Sequence, residues 1–325
     1  MTLLADAALL VVGLALLLAG GEFMVRGAAA LARQLGVPPL VVGLTVVAFG
    51  TSAPELAVNL TAAARGNGAV AFGNLIGSNL ANIGLILASA ALLRTLAIQS
   101  IIVTREMPMM IVASVATLVM GFDALRGQVD SHYDRAEGLL LLLLFAIFVY
   151  YTVSETLRKR SSDPFVEQVR EHWIGARLWS LGPSIGVVVL GLAGLALGGQ
   201  LTVAGAVEVA AALGAPKGLI GLTVVAVGTS LPELSASVMA ARKGETDLAV
   251  GNVVGSNIFN LLFVLGVTAT VGEVPVPPDG QPDLIVMLAF SSIVLLLSLG
   301  RREITRAEGA LLLIGYLGYI TWRVA

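Results

Sequence analysis

Residues 43–56 read GLTVVAFGTSAPEL, and residues 221–234 read GLTVVAVGTSLPEL. The two strings lie 178 residues apart. The same offset, without a gap, pairs Gly66 with Gly244, Gly73-Asn74 with Gly251-Asn252, Gly77-Ser78-Asn79 with Gly255-Ser256-Asn257, and Asn82 with Asn260. About half of the positions from 43 to 87 are identical to their partners, so internal duplication is the economical reading. Duplication kept for packing alone would preserve small and apolar residues. Here the polar residues are preserved as well.

Around these strings the chain is strongly apolar. Of 325 residues, 57% are hydrophobic and only 12% are charged, about half the charge of an ordinary soluble domain. Repeated apolar runs of about 20 residues predict a polytopic helical membrane protein. Ten spans are expected, near 3–33, 37–65, 69–93, 101–121, 137–157, 183–212, 216–242, 247–271, 283–300 and 306–323. The first run, Leu3 to Leu18, has no Lys or Arg before it and continues as helix-compatible sequence past Arg26. It is therefore expected to stay as the first span rather than to be removed as a signal. The most charged stretches, 122–137 and 158–177, are expected to be solvated loops. There is no long basic tract to support nucleic-acid binding, and no protein partner is readable; the bilayer is the expected surrounding. Cysteine is absent, which excludes disulfides and thiolate metal sites.

Basic residues set the expected orientation. With the N-terminus outside, one face receives Arg33, Arg94, Arg105, Arg158, Lys159, Arg160, Arg170, Arg177, Arg242, Lys243, Arg301, Arg302 and Arg306, and the other only Arg65, Arg126, Arg135, Lys217 and Arg323. The positive-inside rule then predicts a multi-pass protein of the cell (inner) membrane, with the 158–182 loop cytoplasmic and both termini outside. Five crossings separate the two copies, and an odd number reverses their orientation. The expected architecture is all-α, with ten transmembrane helices in two inverted-topology repeats of five. Residues 1–157 carry the first motif region (43–87), 158–182 form the loop, and 183–325 carry the second motif region (221–265). Transporters built this way place their substrate site near the midplane, between the repeats.

The repeated motifs also carry chemistry. Pro54 and Pro232 have no N–H, so the carbonyls of Gly50 and Gly228 lose their helical partners and become available as oxygen ligands. Thr51 and Glu55 are spaced i, i+4, with Ser52 three residues before Glu55, which predicts one shared helix face; Thr229, Ser230 and Glu233 repeat the pattern. Ser78 and Asn82 are also i, i+4, as are Ser256 and Asn260. This donor set is almost all oxygen. It suits Ca²⁺, which takes six to eight oxygens, and Na⁺. It does not suit zinc or copper, because there is no cysteine and both histidines, His132 and His172, fall in loops. Mg²⁺ fits less well because it holds its water more stubbornly. An intramembrane carboxylate costs about 2.5–3.5 kcal/mol on insertion scales. Two facing glutamates add mutual repulsion, which one divalent ion, two monovalent ions or protons would relieve.

Other features point elsewhere. Glu22 and Glu208 lie on apolar spans but are not offset partners, since Gln200 stands 178 residues after Glu22; a helix-end role or an access path both fit them. Trp173, Trp179 and Trp322 read as interfacial anchors. The small-residue runs GAAALA (27–32) and GLAGLALGG (191–199) read as packing or sliding surfaces. An intramembrane serine hydrolase would need an activating base, and no histidine lies in any expected span, so no enzymatic activity is expected.

GTSAPE…GNLIGSN and GTSLPE…GNVVGSN resemble the two α repeats of the calcium/cation antiporter superfamily, in its prokaryotic Na⁺/Ca²⁺ exchanger branch. The resemblance implies secondary antiport of Ca²⁺ against Na⁺, with no cofactor. It implies a central Ca²⁺ site on Glu55 and Glu233, with cation ligands from Thr51, Ser52, Thr229, Ser230 and the carbonyls of Ala48 and Ala226. It implies that Ser78, Asn82, Ser256 and Asn260 complete the sites, and that the first and sixth spans slide as gating helices. Some relatives carry Asp where this chain has Asn260, and K⁺-dependent members use that Asp, so the resemblance implies K⁺ independence here. Ca²⁺/H⁺ members usually show a different motif, although a Ca²⁺/H⁺ exchanger stays open as the alternative because glutamates take protons. A cation channel is the more remote alternative, and the inverted repeat argues against it.

Overall fold

The computed structural model describes residues 3–37, 39–122, 131–160, 180–212, 226–277 and 280–324. These residues are helical almost throughout. The helices are α1 (Leu3–Leu35), α2 (Pro39–Thr51), α3 (Ala53–Ala64), α4 (Gly68–Leu93), α5 (Ile102–Met120), α6 (Arg135–Arg160), α7 (Leu181–Ala212), α8 (Ala226–Thr229), α9 (Leu231–Lys243), α10 (Thr246–Val271), α11 (Gln281–Ser298) and α12 (Arg306–Val324). In a bilayer every backbone N–H and C=O must find an internal partner, which is why long apolar stretches fold this way.

Seven helices among the described residues are long and apolar enough to cross a membrane, or eight if the bent pair α2–α3 is one span. The span expected at 216–242 begins in residues outside the described set. The last expected span, α12, carries Arg306, Glu308 and Arg323 near its ends, which lowers its apolarity. The 158–182 loop, with Arg170, Arg177, His172, Trp173 and Trp179, lies almost wholly outside the described residues, as do Arg126 and Lys217. Trp322 is exposed at the end of α12.

Four two-residue strands tie helix ends together. β1 (Leu96–Ala97) pairs antiparallel with β4 (Glu303–Ile304), and β2 (His132–Tyr133) with β3 (Val274–Pro275). This departs from the expectation of a solvated loop over 122–137. Tyr133 is fully buried and donates its hydroxyl to the Thr117 carbonyl at 2.8 Å. A tyrosine hydroxyl with a partner can be buried inside a charged stretch.

Three helix ends share one device. Gly36, Gly66 and Gly244 adopt φ of 63°, 72° and 83°. Each lets the next residue reach back: Val37 N to Ala32 O, Asn67 N to Ala62 O, and Glu245 N to Ala240 O, at 3.0, 2.8 and 2.9 Å. Glycine is favoured there because a Cβ strains the left-handed backbone.

The motif-bearing helices lie deepest. In α10, 94% of the apolar window is buried, and in α4, 78%, against 33% in both α1 and α7. The two long outer helices run antiparallel and meet along glycines 13, 20, 27 and 191, 198, 205, so the 178-residue offset extends to this seam. A Cβ on Gly20 would lie 2.7 Å from the Leu195 nitrogen, and one on Gly198 would lie 2.7 Å from the Leu17 nitrogen. Backbone cannot yield as a side chain can. Gly20→Leu is therefore expected to destabilise the protein by about 1–3 kcal/mol, the usual range for overpacking, read as a lower thermal midpoint in detergent. An unchanged midpoint would show that α1 and α7 part freely.

Candidate functional site

The conserved-offset motifs sit where two helices break. α2 ends at Thr51, Ser52 takes φ −84° and ψ 6°, and α3 restarts at Ala53 with a bend of 43°. Ser230 takes φ −90° and ψ 6° between α8 and α9. Pro54 and Pro232 fall in the first turn of the restarted helices, where no N–H is required. The strings Ser-Ala-Pro-Glu and Ser-Leu-Pro-Glu have the Ser-x-x-Glu spacing of a capping box. Neither serine caps its own helix. Each turns away across the protein instead.

The break corrects the expected common face. Thr51 closes one helix while Glu55 lies in the first turn of the next, so the two do not project together from continuous helix. Ser52 donates to Glu233 Oε1 at 3.0 Å, from one copy of the motif to the carboxylate of the other. Thr51 reaches Asn252 Oδ1 at 3.3 Å, and Thr229 reaches Asn74 Oδ1 at 3.3 Å. Ser230 donates to Ser78 at 3.3 Å. Thr229 and Ser230 lie near Glu55 without hydrogen-bonding to its carboxylate. One hydroxyl, that of Ser52, thus serves the carboxylate of the other copy, while the carboxylate of Glu55 accepts no hydrogen bond among the described residues.

Glu55 and Glu233 are each 1% exposed, and Glu55 lies within reach of the charge of Glu233. Each occupies the first turn of a helix, where the positive end of the helix dipole offsets part of the burial cost. Among the described residues, both oxygens of Glu55, Oε2 of Glu233, Oδ1 of Asn82, Oγ of Ser256 and both amide atoms of Asn260 are buried without a hydrogen-bond partner. Buried polar atoms normally have partners, so a concentration of bare oxygen points to a ligand that supplies positive charge. No group of three or more His, Cys, Asp or Glu side chains is gathered among the described residues. The fixed charge available is that of two carboxylates, matched by one divalent or two monovalent cations.

The remaining expected ligands are placed as follows. The Ala48 carbonyl is buried and already accepts Ser52 N at 3.0 Å and Thr51 Oγ1 at 3.4 Å. Ala226 opens α8. Asn82, one turn beyond Ser78, starts a π-helical stretch at Asn82–Leu87, and Phe259–Val264 is π-helical at the corresponding place in α10; such widened turns recur at functional sites. Ser256 and Asn260 are buried in α10, and their side chains hydrogen-bond to no other motif side chain among the described residues. Glu22 lies apart from this cluster, paired with Arg26 at 2.5 Å and with Lys243 at 2.7 Å, and Glu208 is exposed.

Several residues outside the expected set complete the network. Asn252 Nδ2 donates to Ser237 Oγ at 2.9 Å and to the Glu233 carbonyl at 3.5 Å, while Asn59 Nδ2 donates to the Glu55 carbonyl at 2.7 Å. Asn74, Asn79, Asn252 and Asn257 repeat at the same offset as the ligands, and that repetition was their signal. Asn59 and Ser237 occupy offset positions but differ in identity, so nothing in the sequence marks them.

Residues 6–154 and 183–325 match the family described as sodium/calcium exchanger protein. The chain belongs to this family. Exchanger-family relatives include the putative antiporter CaxA of Alkalimonas amylolytica, 39% identical over 95% of each chain. The sodium/calcium exchanger MaX1 of Methanosarcina acetivorans is 31% identical over 96% of each. The inner membrane protein YrbG of Escherichia coli K12 is 35% identical over 97% of this chain and 94% of its own. A solved structure of the sodium-calcium exchanger NCX_Mj, soaked with zero Na⁺ and Ca²⁺, superposes with TM-score 0.85 at 29% identity, covering 98% of this chain and 99% of that one. This is a family of membrane transporters, and the calcium/cation antiporter superfamily is its wider group.

Asn252 is a test of the network. Asn252→Leu keeps the branched shape but removes the amide that the Thr51 and Ser237 hydroxyls meet. It is expected to lower cation affinity by about tenfold, measured as a shift in the cation concentration giving half-maximal thermal stabilisation. Unchanged affinity would make the asparagine a packing residue only.

Proposed function

We propose that this protein is a secondary antiporter that exchanges Ca²⁺ for Na⁺ by alternating access. Its ten spans form two inverted repeats, residues 1–157 and 183–325, joined by a cytoplasmic loop at 158–182, with both termini outside. Glu55 and Glu233 carry the shared charge. Thr51, Ser52, Thr229, Ser230, Ser78, Asn82, Ser256, Asn260 and the Ala48 and Ala226 carbonyls supply neutral oxygen. The observation that carries this reading is the pair of buried carboxylates, one from each copy of the motif, whose oxygens are left largely bare with a charge of two. One Ca²⁺ neutralises that charge, and so do two Na⁺. Occupants that exclude one another by charge are the minimum requirement for exchange.

An asymmetry between the repeats supports alternating access. α1 lies over α9: Ser235 Oγ donates to the Leu17 carbonyl at 2.7 Å, Gly21 packs on Met239, and Glu22 pairs with Lys243. On the other repeat, the offset-equivalent stretch of α3 borders a cleft of about 380 Å³ lined by Ala57, Val58, Thr61, Arg65 and Asn67. In the proposed orientation α1 closes the cytoplasmic approach and the cleft opens outward.

Two experiments follow. Reconstituted vesicles should take up Ca²⁺ when Na⁺ is placed to flow outward, and Glu55→Gln or Glu233→Gln should abolish it. Uptake that ignores Na⁺ and follows a pH gradient would assign Ca²⁺/H⁺ exchange instead, and currents without a counter-ion would assign a channel. Because the chain has no cysteine, single cysteines report access directly. Thr61→Cys should react with a membrane-impermeant thiol reagent from outside, whereas Met239→Cys should be protected. Removing the Glu22–Lys243 pair with Glu22→Gln should raise Met239→Cys labelling by up to about fivefold, since such partly exposed pairs contribute up to about 1 kcal/mol. Equal labelling of both sites at rest would contradict the asymmetry.

A further inference from the structure

Among the bare oxygens, Asn82 Oδ1 is distinctive because its orientation is enforced. An asparagine side chain has a donor end and an acceptor end of nearly the same shape, and only the oxygen end can face a cation. Asn82 is 1% exposed, and its Nδ2 donates to Asn257 Oδ1 at 2.9 Å. Asn257 in turn points its own Nδ2 at the Met110 sulfur, 3.6 Å away. Met110 is fully buried. A thioether sulfur accepts weakly and donates nothing.

These contacts form a one-way relay. The Met110 sulfur selects the N–H end of Asn257, which turns the Asn257 oxygen towards Asn82. That oxygen selects the N–H end of Asn82, which leaves Asn82 Oδ1 as the free end. Flipping Asn82 alone would set two amide oxygens against each other at 2.9 Å. Flipping both amides would set the Asn257 oxygen against sulfur. The first arrangement has no donor at the Asn82–Asn257 contact, and a buried acceptor left unsatisfied costs its desolvation; the second keeps that hydrogen bond but gives up the weaker one to sulfur. Asn82 stands one helical turn beyond Ser78, which meets Ser230 beside the two carboxylates.

We infer that Asn257 and Met110 are positioning residues that orient Asn82 Oδ1 as a cation ligand. This rests on the exchanger reading given above. Neither residue needs to touch the ion. The counterpart residues in the other repeat hold the same chemistry in a different arrangement. Asn79 Nδ2 donates to the Leu75 carbonyl at 2.8 Å, and Asn79 Oδ1 and both amide atoms of Asn260 have no partner among the described residues. Met287 stands 177 residues after Met110, as Ser291 stands 177 after Ser114, and it is fully buried as well. The relay through Asn82 and Asn257 is closed, and its offset counterpart through Asn260 and Asn79 is open.

The test is a double-mutant cycle with two readouts. Cation affinity is measured on purified full-length protein as thermal stabilisation by Ca²⁺ or by Na⁺, and exchange is measured in vesicles. Asn257→Leu is expected to weaken cation affinity by about tenfold, the size typical of losing a partner that orients a ligand, and Asn82→Ala by a similar factor. The double variant should be no weaker than Asn82→Ala alone, because Asn257 acts through Asn82. Met110→Leu should give a smaller loss of about two- to threefold that likewise disappears in the Asn82→Ala background. If Asn257→Leu does not fold, the Met110→Leu cycle decides the same question.

Unchanged affinity in the single variants, or losses that multiply in the double variant, would overturn the inference while leaving the exchanger reading intact. A wild-type protein that is stabilised by cations but does not exchange them would overturn that reading and leave the relay standing. A wild-type protein that no cation stabilises would overturn both.

Discussion

Two like charges held near one another, out of water, are the constraint on which this structure turns. An isolated carboxylate in a bilayer costs several kcal/mol, and a second one nearby adds repulsion that no solvent screens. The protein offsets part of that cost with fixed dipoles. Glu55 and Glu233 each sit in the first turn of a helix, and a helix can start within the buried interior only if another helix stops there. The breaks at Ser52 and Ser230 are therefore a consequence of where the charges are. Deep burial of α4 and α10 follows as well, because interrupted backbone is tolerated only against protein or a wet cavity.

The duplication gives each carboxylate the same local surroundings, yet the two halves are not equivalent in conformation. Ser52 closes a hydrogen bond on Glu233, while Glu55 has bare oxygens among the described residues. α1 covers α9, while the corresponding face of α3 borders a cleft. Repeated motifs in unequal surroundings fit the alternating access proposed above, in which the two halves exchange their conformations. Differences of only a few kcal/mol separate such states, and ligands with unequal affinity shift their populations.

Much of this was legible in the residues. The 178-residue offset marked both glutamates and most of their neighbours, and apolar run lengths placed helix ends within a few residues, as at Leu3–Leu35 against the expected 3–33. Less was legible where partners come from far along the chain. Helical spacing put Thr51 and Glu55 on one face, but spacing assumes an unbroken helix, and the Ser-x-x-Glu cap spacing was the overlooked sign of a restart. Tyr133 looked like loop because its neighbours are charged; its burial depends on the Thr117 carbonyl, 16 residues earlier, and on a two-residue strand with Val274–Pro275. The Asn82–Asn257 contact spans 175 residues and crosses the repeats, so no local pattern contains it.

The glycine seam between α1 and α7 has a consequence for leakage. With backbone against backbone and no side chains interposed at Gly20 and Gly198, the two outer helices form one rigid beam. Under the alternating access proposed above, α1 could leave the face of α9 only together with α7, as one piece. On that proposal, the coupling that guards against simultaneous opening, and so against a short-circuit of the membrane, would lie in this shared seam rather than in timing.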